Sequence, residues 1–198
     1  MPSRRPAGPR EHAVTPALTV SFQRYPRPPS GWVETLPRSR GALPLVEAGP
    51  GRLLVGCPAG EAFWVGLVAT RRGWSSRVGA AARLASGERV DLATGEPLGP
   101  AGDRPSGRFA VPPRFAVEGI ARPDGGWWAL ARSGPGPACA GLELAVWTVA
   151  SPAAPPPTGP PALVEVELVD AAGFEAATGR PLPPPAGEEE TYGGWRLP

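Results

Sequence analysis

The feature that most constrains this chain is that it says much of itself twice, 84 residues apart. Tyr25-Pro-Arg-Pro-Pro-Ser-Gly-Trp-Val-Glu34 returns as Phe109-Ala-Val-Pro-Pro-Arg-Phe-Ala-Val-Glu118, and Ala93-Thr-Gly-Glu-Pro-Leu-Gly-Pro100 returns as Ala177-Thr-Gly-Arg-Pro-Leu-Pro-Pro184, both at an offset of 84. Self-similarity at a fixed spacing describes how a whole fold is assembled, so it outranks local pattern. In the middle the register slips: Gly49-Pro-Gly51 matches Gly134-Pro-Gly136 at 85, and Cys57 matches Cys139 at 82. Slips of this kind in Gly/Pro-rich stretches are what loop insertions and deletions leave. Coincidence among abundant Pro, Gly and Ala is the competing explanation. It accounts poorly for the ordered matches of rarer elements: Cys, Val-Glu and Thr-Gly-x-Pro-Leu.

Two copies allow one to arbitrate the other. Gly79-Ala-Ala-Ala-Arg-Leu-Ala85 alone reads as a short helix on propensity. Its counterpart Leu163-Val-Glu-Val-Glu-Leu-Val169 alternates apolar and acidic residues as a half-buried strand does, so both are expected to be strands. Arg89–Leu92 and Gly173–Ala176 follow as hairpin partners, and the Ala-Thr-Gly-x-Pro-Leu element closes each copy with a turn. The core strands are expected at Ala62–Ala69 and Leu142–Ala150, with further strands over Trp32–Leu36, Ala116–Ala121, Ala42–Glu47 and Trp127–Arg132. No segment has the pattern of a long amphipathic helix. The expected fold is all-β: two tandem pseudo-equivalent units, a sandwich or partly open barrel, packed about a pseudo-twofold axis. The expected layout is a flexible basic arm over 1–16, repeats over 17–101 and 102–186, and a tail over 187–198.

Thirty Pro and 27 Gly in 198 residues approach the range of disordered chains, but 41% hydrophobic residues and seven Trp supply a core. All 20 cations are arginine. Residues 1–100 carry 13 Arg against 7 acids, and residues 101–198 carry 7 against 11. Such opposite halves favour contact between repeats or head-to-tail association of chains, with neutral drift as the alternative. Met1–Arg10 is basic with no apolar stretch behind it, unlike a secretory leader, and no window is apolar enough for a membrane span. A cytoplasmic protein without membrane attachment is the expectation. The two cysteines, at matching repeat positions in apolar settings, are expected to be buried, far apart and unpaired.

Chemistry is harder to find. The single histidine, His12, falls in the expected arm, which disfavours His-based acid/base catalysis and most zinc designs. The absence of lysine removes Schiff-base chemistry and a Walker-type phosphate loop. No cofactor or metal is implied. Glu34 and Glu118 persist in both copies and form a candidate carboxylate pair if both face the axis; otherwise they pair with Arg38 and Arg122, four residues on. Thr70-Arg-Arg-Gly-Trp-Ser-Ser-Arg77 places Arg71, Arg72 and Arg77 around Trp74 in the loop after a core strand. That arrangement suits an acidic protein surface, or phosphate contact with base stacking. Trp127 and Trp128 are candidate ligand or partner contacts, with core filling as the alternative. The leading expectation is a non-enzymatic binding or assembly subunit acting through protein contacts or self-association. A small-molecule-binding accessory protein with a pocket between the repeats is the second, and nucleic-acid contact or a carboxylate enzyme rank below.

Overall fold

The computed structural model describes residues 10–99, 103–105, 107–154 and 159–185. Fourteen strands and one helix follow in chain order: β1 (Glu11–Thr15), β2 (Leu18–Pro26), β3 (Trp32–Val33), β4 (Leu45–Gly49), β5 (Arg52–Gly56), β6 (Glu61–Ala69), β7 (Ser75–Leu84), β8 (Arg89–Asp91), β9 (Phe109–Val111), β10 (Ala116–Val117), β11 (Ile120–Ala121), β12 (Trp127–Trp128), β13 (Cys139–Val149), β14 (Ala162–Val169) and α1 (Ala171–Thr178). The protein is an all-β sandwich. One sheet has the order β1-β2-β6-β10, and the large one runs β4-β5-β14-β13-β7-β8 with β9 also on β7. A small third sheet, β11-β12-β3, lies beside them.

Sequence period explains which sheet faces are buried. Along β2, Leu18, Val20 and Phe22 are fully buried on one face, as a period of two requires. Along β14, Val164, Val166 and Leu168 are buried while Glu165 and Glu167 are exposed. The β6 run Ala62–Leu67 is buried on both faces except at Trp64, because a second apolar cluster of Tyr25, Ala62, Ala129 and Ala131 covers its outer side. The main core lies between the two large sheets and takes in Phe22, Phe63, Leu53, Val78, Leu144 and Val166. Phe22 and Phe63 meet edge to face, with ring centroids 5.8 Å apart, a favoured geometry for aromatic pairs.

Every sheet takes strands from both halves of the chain. β5 pairs in parallel with β14, while β7 with β13, β6 with β10 and β3 with β12 are antiparallel pairs. The pairings themselves do not repeat: β13 and β14 are antiparallel neighbours, whereas their counterparts β6 and β7 lie in different sheets. What recurs is local. Gly95 N–H donates to Asp91 C=O at 2.8 Å and Gly179 N–H to Glu175 C=O at 2.7 Å, 84 residues on, with φ of 75° and 66° at the two glycines.

Three expectations are corrected. Gly173–Ala176 is not a hairpin strand but the middle of α1. Asp170 caps that helix by accepting from Gly173 N–H, and Gly179 ends it in the left-handed region, the Asp-start and Gly-stop pattern of helix ends. Residues 11–15, placed in the flexible arm, form β1 along β2. His12 is therefore inside the fold, with Nδ1 3.0 Å from Glu47 Oε1. The C-terminal tail, 187–198, lies outside the described residues. No helix among the described residues is long and apolar enough to cross a membrane.

The third correction concerns the cysteines. Both are free and buried, yet close enough for Cys57 to act electrostatically on Cys139. Burial pushes the Cys57 thiol up to about 11, with Glu61 adding to it. The Cys139 thiol rises to about 12, through burial and then the nearby Cys57. Thiols held so far above neutrality are poor nucleophiles. The native protein at about pH 8 is expected to resist a disulfide reagent such as dithiobis-nitrobenzoate over an hour, and to expose both thiols on unfolding in guanidinium. Rapid stoichiometric labelling of the native chain would contradict this.

Candidate functional site

Two ends of the sandwich carry chemistry, separated by the length of β6, eight steps or roughly 27 Å. At the C-terminal end of β6 the chain turns through Thr70–Trp74 into β7. Two contacts fix the start of this turn: Thr70 N–H donates to Ala17 C=O at 3.1 Å, and the Thr70 hydroxyl donates to Pro16 C=O at 2.9 Å. Trp74 N–H donates to Arg71 C=O at 3.2 Å, and the Arg71 guanidinium lies 4.8 Å from the Trp74 ring centroid. Trp74 is 42% exposed, and Arg71 and Arg72 are exposed beside it.

The β9–β10 connection comes to the same end. β7 register sets Ser76 opposite Val111, and Leu67 N–H donates to Phe115 C=O at 2.8 Å. Phe115 is 48% exposed. Arg114 lies 5.0 Å from the Phe109 ring and is ion-paired with Glu118. Pro113, Arg114, Phe115 and Glu118 line a concavity of about 400 Å³. One end thus combines two exposed aromatic rings, three arginines and a hollow.

The structure sorts the other expected site residues differently. Arg77 is not in the loop: it stands on β7 opposite Trp147 and donates from Nη2 to Ala154 C=O at 3.1 Å. Trp127 and Trp128 form β12, and Trp128 is half of a stack. Arg122 sits 4.2 Å from the Trp32 ring and 4.9 Å from the Trp128 ring, with its Nη2 2.5 Å from Asp124 Oδ2. This Arg122 side chain is only 12% exposed, so the stack welds β3, β11 and β12 together. The pairing expected between Glu118 and Arg122 is replaced, since Glu118 takes the arginine four residues before it, Arg114, and Arg122 takes Asp124. Glu34 is exposed just past β3, whereas Glu118 is engaged at the hollow.

At the opposite end lies a group that sequence reasoning missed. Arg24 follows Leu18, Val20 and Phe22 in the alternation of β2, so it occupies a core-facing position and is 3% exposed. Its Nη2 donates to Glu61 Oε1 at 2.6 Å, and its Nη1 donates to Pro183 C=O at 3.1 Å, where the chain returns after α1. Arg24 Nε, Glu61 Oε2 and Tyr25 Oη are buried without hydrogen-bond partners. Arg24, Tyr25, Arg40, Ala59, Gly60 and Glu61 line a cavity of about 200 Å³. A charged residue at the fourth position of an apolar period-two run was the signal available in the sequence. Comparison with protein-family models, with curated proteins and with solved structures returns no match.

Proposed function

We propose that this chain is a binding and assembly subunit that works through protein contacts at the end bearing Arg71, Arg72, Trp74, Arg114 and Phe115. The observation that carries the reading is the grouping, at one end of the sandwich, of two exposed aromatic rings with arginines, beside a hollow lined by Arg114 and Phe115. Aromatic and arginine side chains are the residues most enriched at the energetic centres of interfaces. The matching partner is an acidic protein segment with aromatic side chains of its own. The chain contains such a segment, Glu188-Glu189-Glu190-Thr191-Tyr192-Gly193-Gly194-Trp195. The reading therefore commits to a second copy as the occupant, joined head to tail. A heterologous contact of this kind builds rings or open filaments rather than closed twofold dimers.

Light scattering after size exclusion on the full chain is the test. Association is expected at low salt and is expected to weaken as salt screens the charges. Trp74→Ala is expected to weaken it by about 30-fold or more, the scale of an interface hot spot. Arg71→Ala with Arg72→Ala, or removal of residues 187–198, is expected to leave a monomer. A wild-type chain that is monomeric at every salt concentration would overturn the reading. Tight, salt-sensitive binding of an oligothymidine by a monomeric chain would replace it with single-strand recognition.

A further inference from the structure

We propose that the cavity at the other end of β6 is a binding site for a small organic acid with an N–H or O–H donor beside its acid group, of the size of a hydroxy acid. The assignment is independent of the assembly surface. It starts from a buried arginine whose hydrogen-bonding capacity is unevenly used. Of its donors, Nη2 and Nη1 are taken by Glu61 and Pro183, while Nε–H is left without a partner in a residue that is 3% exposed. The other half of the pair is incomplete in the same way, since Glu61 Oε2 is buried and accepts nothing. Burying a donor and a charged acceptor without partners is costly, and native folds rarely leave such groups unpaired without a reason.

Both residues border the same cavity, and Arg40 stands exposed on its edge. Two guanidiniums against one carboxylate leave the site with an excess positive charge, which selects an anion. Glu61 Oε2 in turn selects against a bare anion, because it needs a donor and repels an acid oxygen. One molecule meets both demands if its acid oxygens face Arg24 Nε–H and Arg40 while a neighbouring hydroxyl or amine donates to Glu61. About 200 Å³ is below the range of pockets that hold drug-sized molecules, which limits the ligand to a few heavy atoms. Backbone geometry keeps the cavity open. Gly60, at φ 83°, forms the turn into β6 with nothing near the position of an added Cβ, and Arg24 C=O is taken by Arg40 N–H at 2.7 Å.

Glycolate is the probe, with acetate as the same acid lacking the hydroxyl and sulfate as a bare inorganic anion. Calorimetric titration of the full chain is expected to show saturable glycolate binding in the millimolar range. Acetate is expected to bind at least tenfold more weakly, the effect of losing one hydrogen bond to a charged group. Arg40→Ala tests the site without risk to the core, since Arg40 is exposed. It is expected to fold with an unchanged melting temperature and to lose glycolate affinity about tenfold or more. Arg71→Ala with Arg72→Ala is expected to leave glycolate binding intact, which separates this site from the assembly surface. Failure of glycolate to saturate, equal binding of glycolate and acetate, or wild-type affinity in Arg40→Ala would each overturn the proposal. In any of those cases the unpaired groups are satisfied by ordered water, or by each other in a two-bond Arg24–Glu61 pair.

Discussion

Glu61→Gln is expected to be among the most damaging single substitutions in the protein, lowering stability by about 3–5 kcal/mol, the cost of breaking a buried ion pair from one side. The carboxylate is 16% exposed and its partner 3%, so neither charge is rescued by solvent. Removing the negative charge leaves the Arg24 guanidinium in the mouth of an apolar core with only an amide and the Pro183 carbonyl for company. For a chain of this size the loss corresponds to a fall of roughly 6–20 °C in melting temperature. Replacing both members by apolar residues, Arg24→Met with Glu61→Leu, is expected to recover much of that loss, because a well-packed apolar pair costs no desolvation. It is also expected to abolish glycolate binding. A double variant that is stable but silent toward glycolate would show the pair kept for binding at some cost to the fold. If Glu61→Gln melts with the wild type, the pair is not the buried contact described above.

The legible part of this fold is the part where apolar pattern alone decides the conformation. Ala62–Ala69 and Leu142–Ala150 were readable as central strands because apolar residues, β-branched and aromatic among them, dominate both, and β6 and β13 cover nearly those spans. Leu163–Val169 was readable from its alternating glutamates, and its match to Gly79–Ala85 rightly overruled the alanine helix propensity there. The same reasoning failed one step later. It carried the strand Arg89–Leu92 onto Gly173–Ala176, where Asp170 and Gly179 cap a helix. The matched segments share turn geometry but not element type, since a cap is a matter of two residues. β1 was illegible for another reason: Glu11-His-Ala-Val-Thr15 is an edge strand with half its face in water, and polarity there resembles a tail. The candidate sites divide in the same way. The Arg71–Trp74 turn was visible because its residues are unusual for any core. Arg77 was drawn into it only because sequence proximity does not show where a strand begins. Arg24 was missed because an arginine among Leu, Val and Phe looks like a break in the pattern. It is the pattern, continued with a charge.

Gly95 and Gly179 are the glycines of the two Ala-Thr-Gly-x-Pro-Leu segments, and replacing each with alanine is expected to separate what the two turns share from what they do not. Both have positive φ, 75° and 66°, and both donate to the carbonyl four residues back. Alanine in the left-handed region costs about 1–2 kcal/mol wherever it occurs, so Gly179→Ala, whose added methyl meets nothing within 4 Å, is expected to lose only that. Gly95 differs in its surroundings. A Cβ there would stand 2.1 Å from the Ala121 carbonyl oxygen, and Ala121 N–H is itself donated to Leu92 C=O at 3.0 Å. The turn is thus laced to β11 and cannot tilt away without breaking that bond and dragging on β12, to which β11 is paired. Forcing a methyl into such a contact adds about 1–3 kcal/mol of overpacking, so Gly95→Ala is expected to lose about 1–3 kcal/mol more than Gly179→Ala does. Urea midpoints at unchanged slope measure both. Equal losses would mean that the turn conformation alone sets the cost and that the Gly95–Ala121 contact relaxes freely. Unequal losses would place the difference between the two turns in their packing, since the two glycines share one backbone conformation.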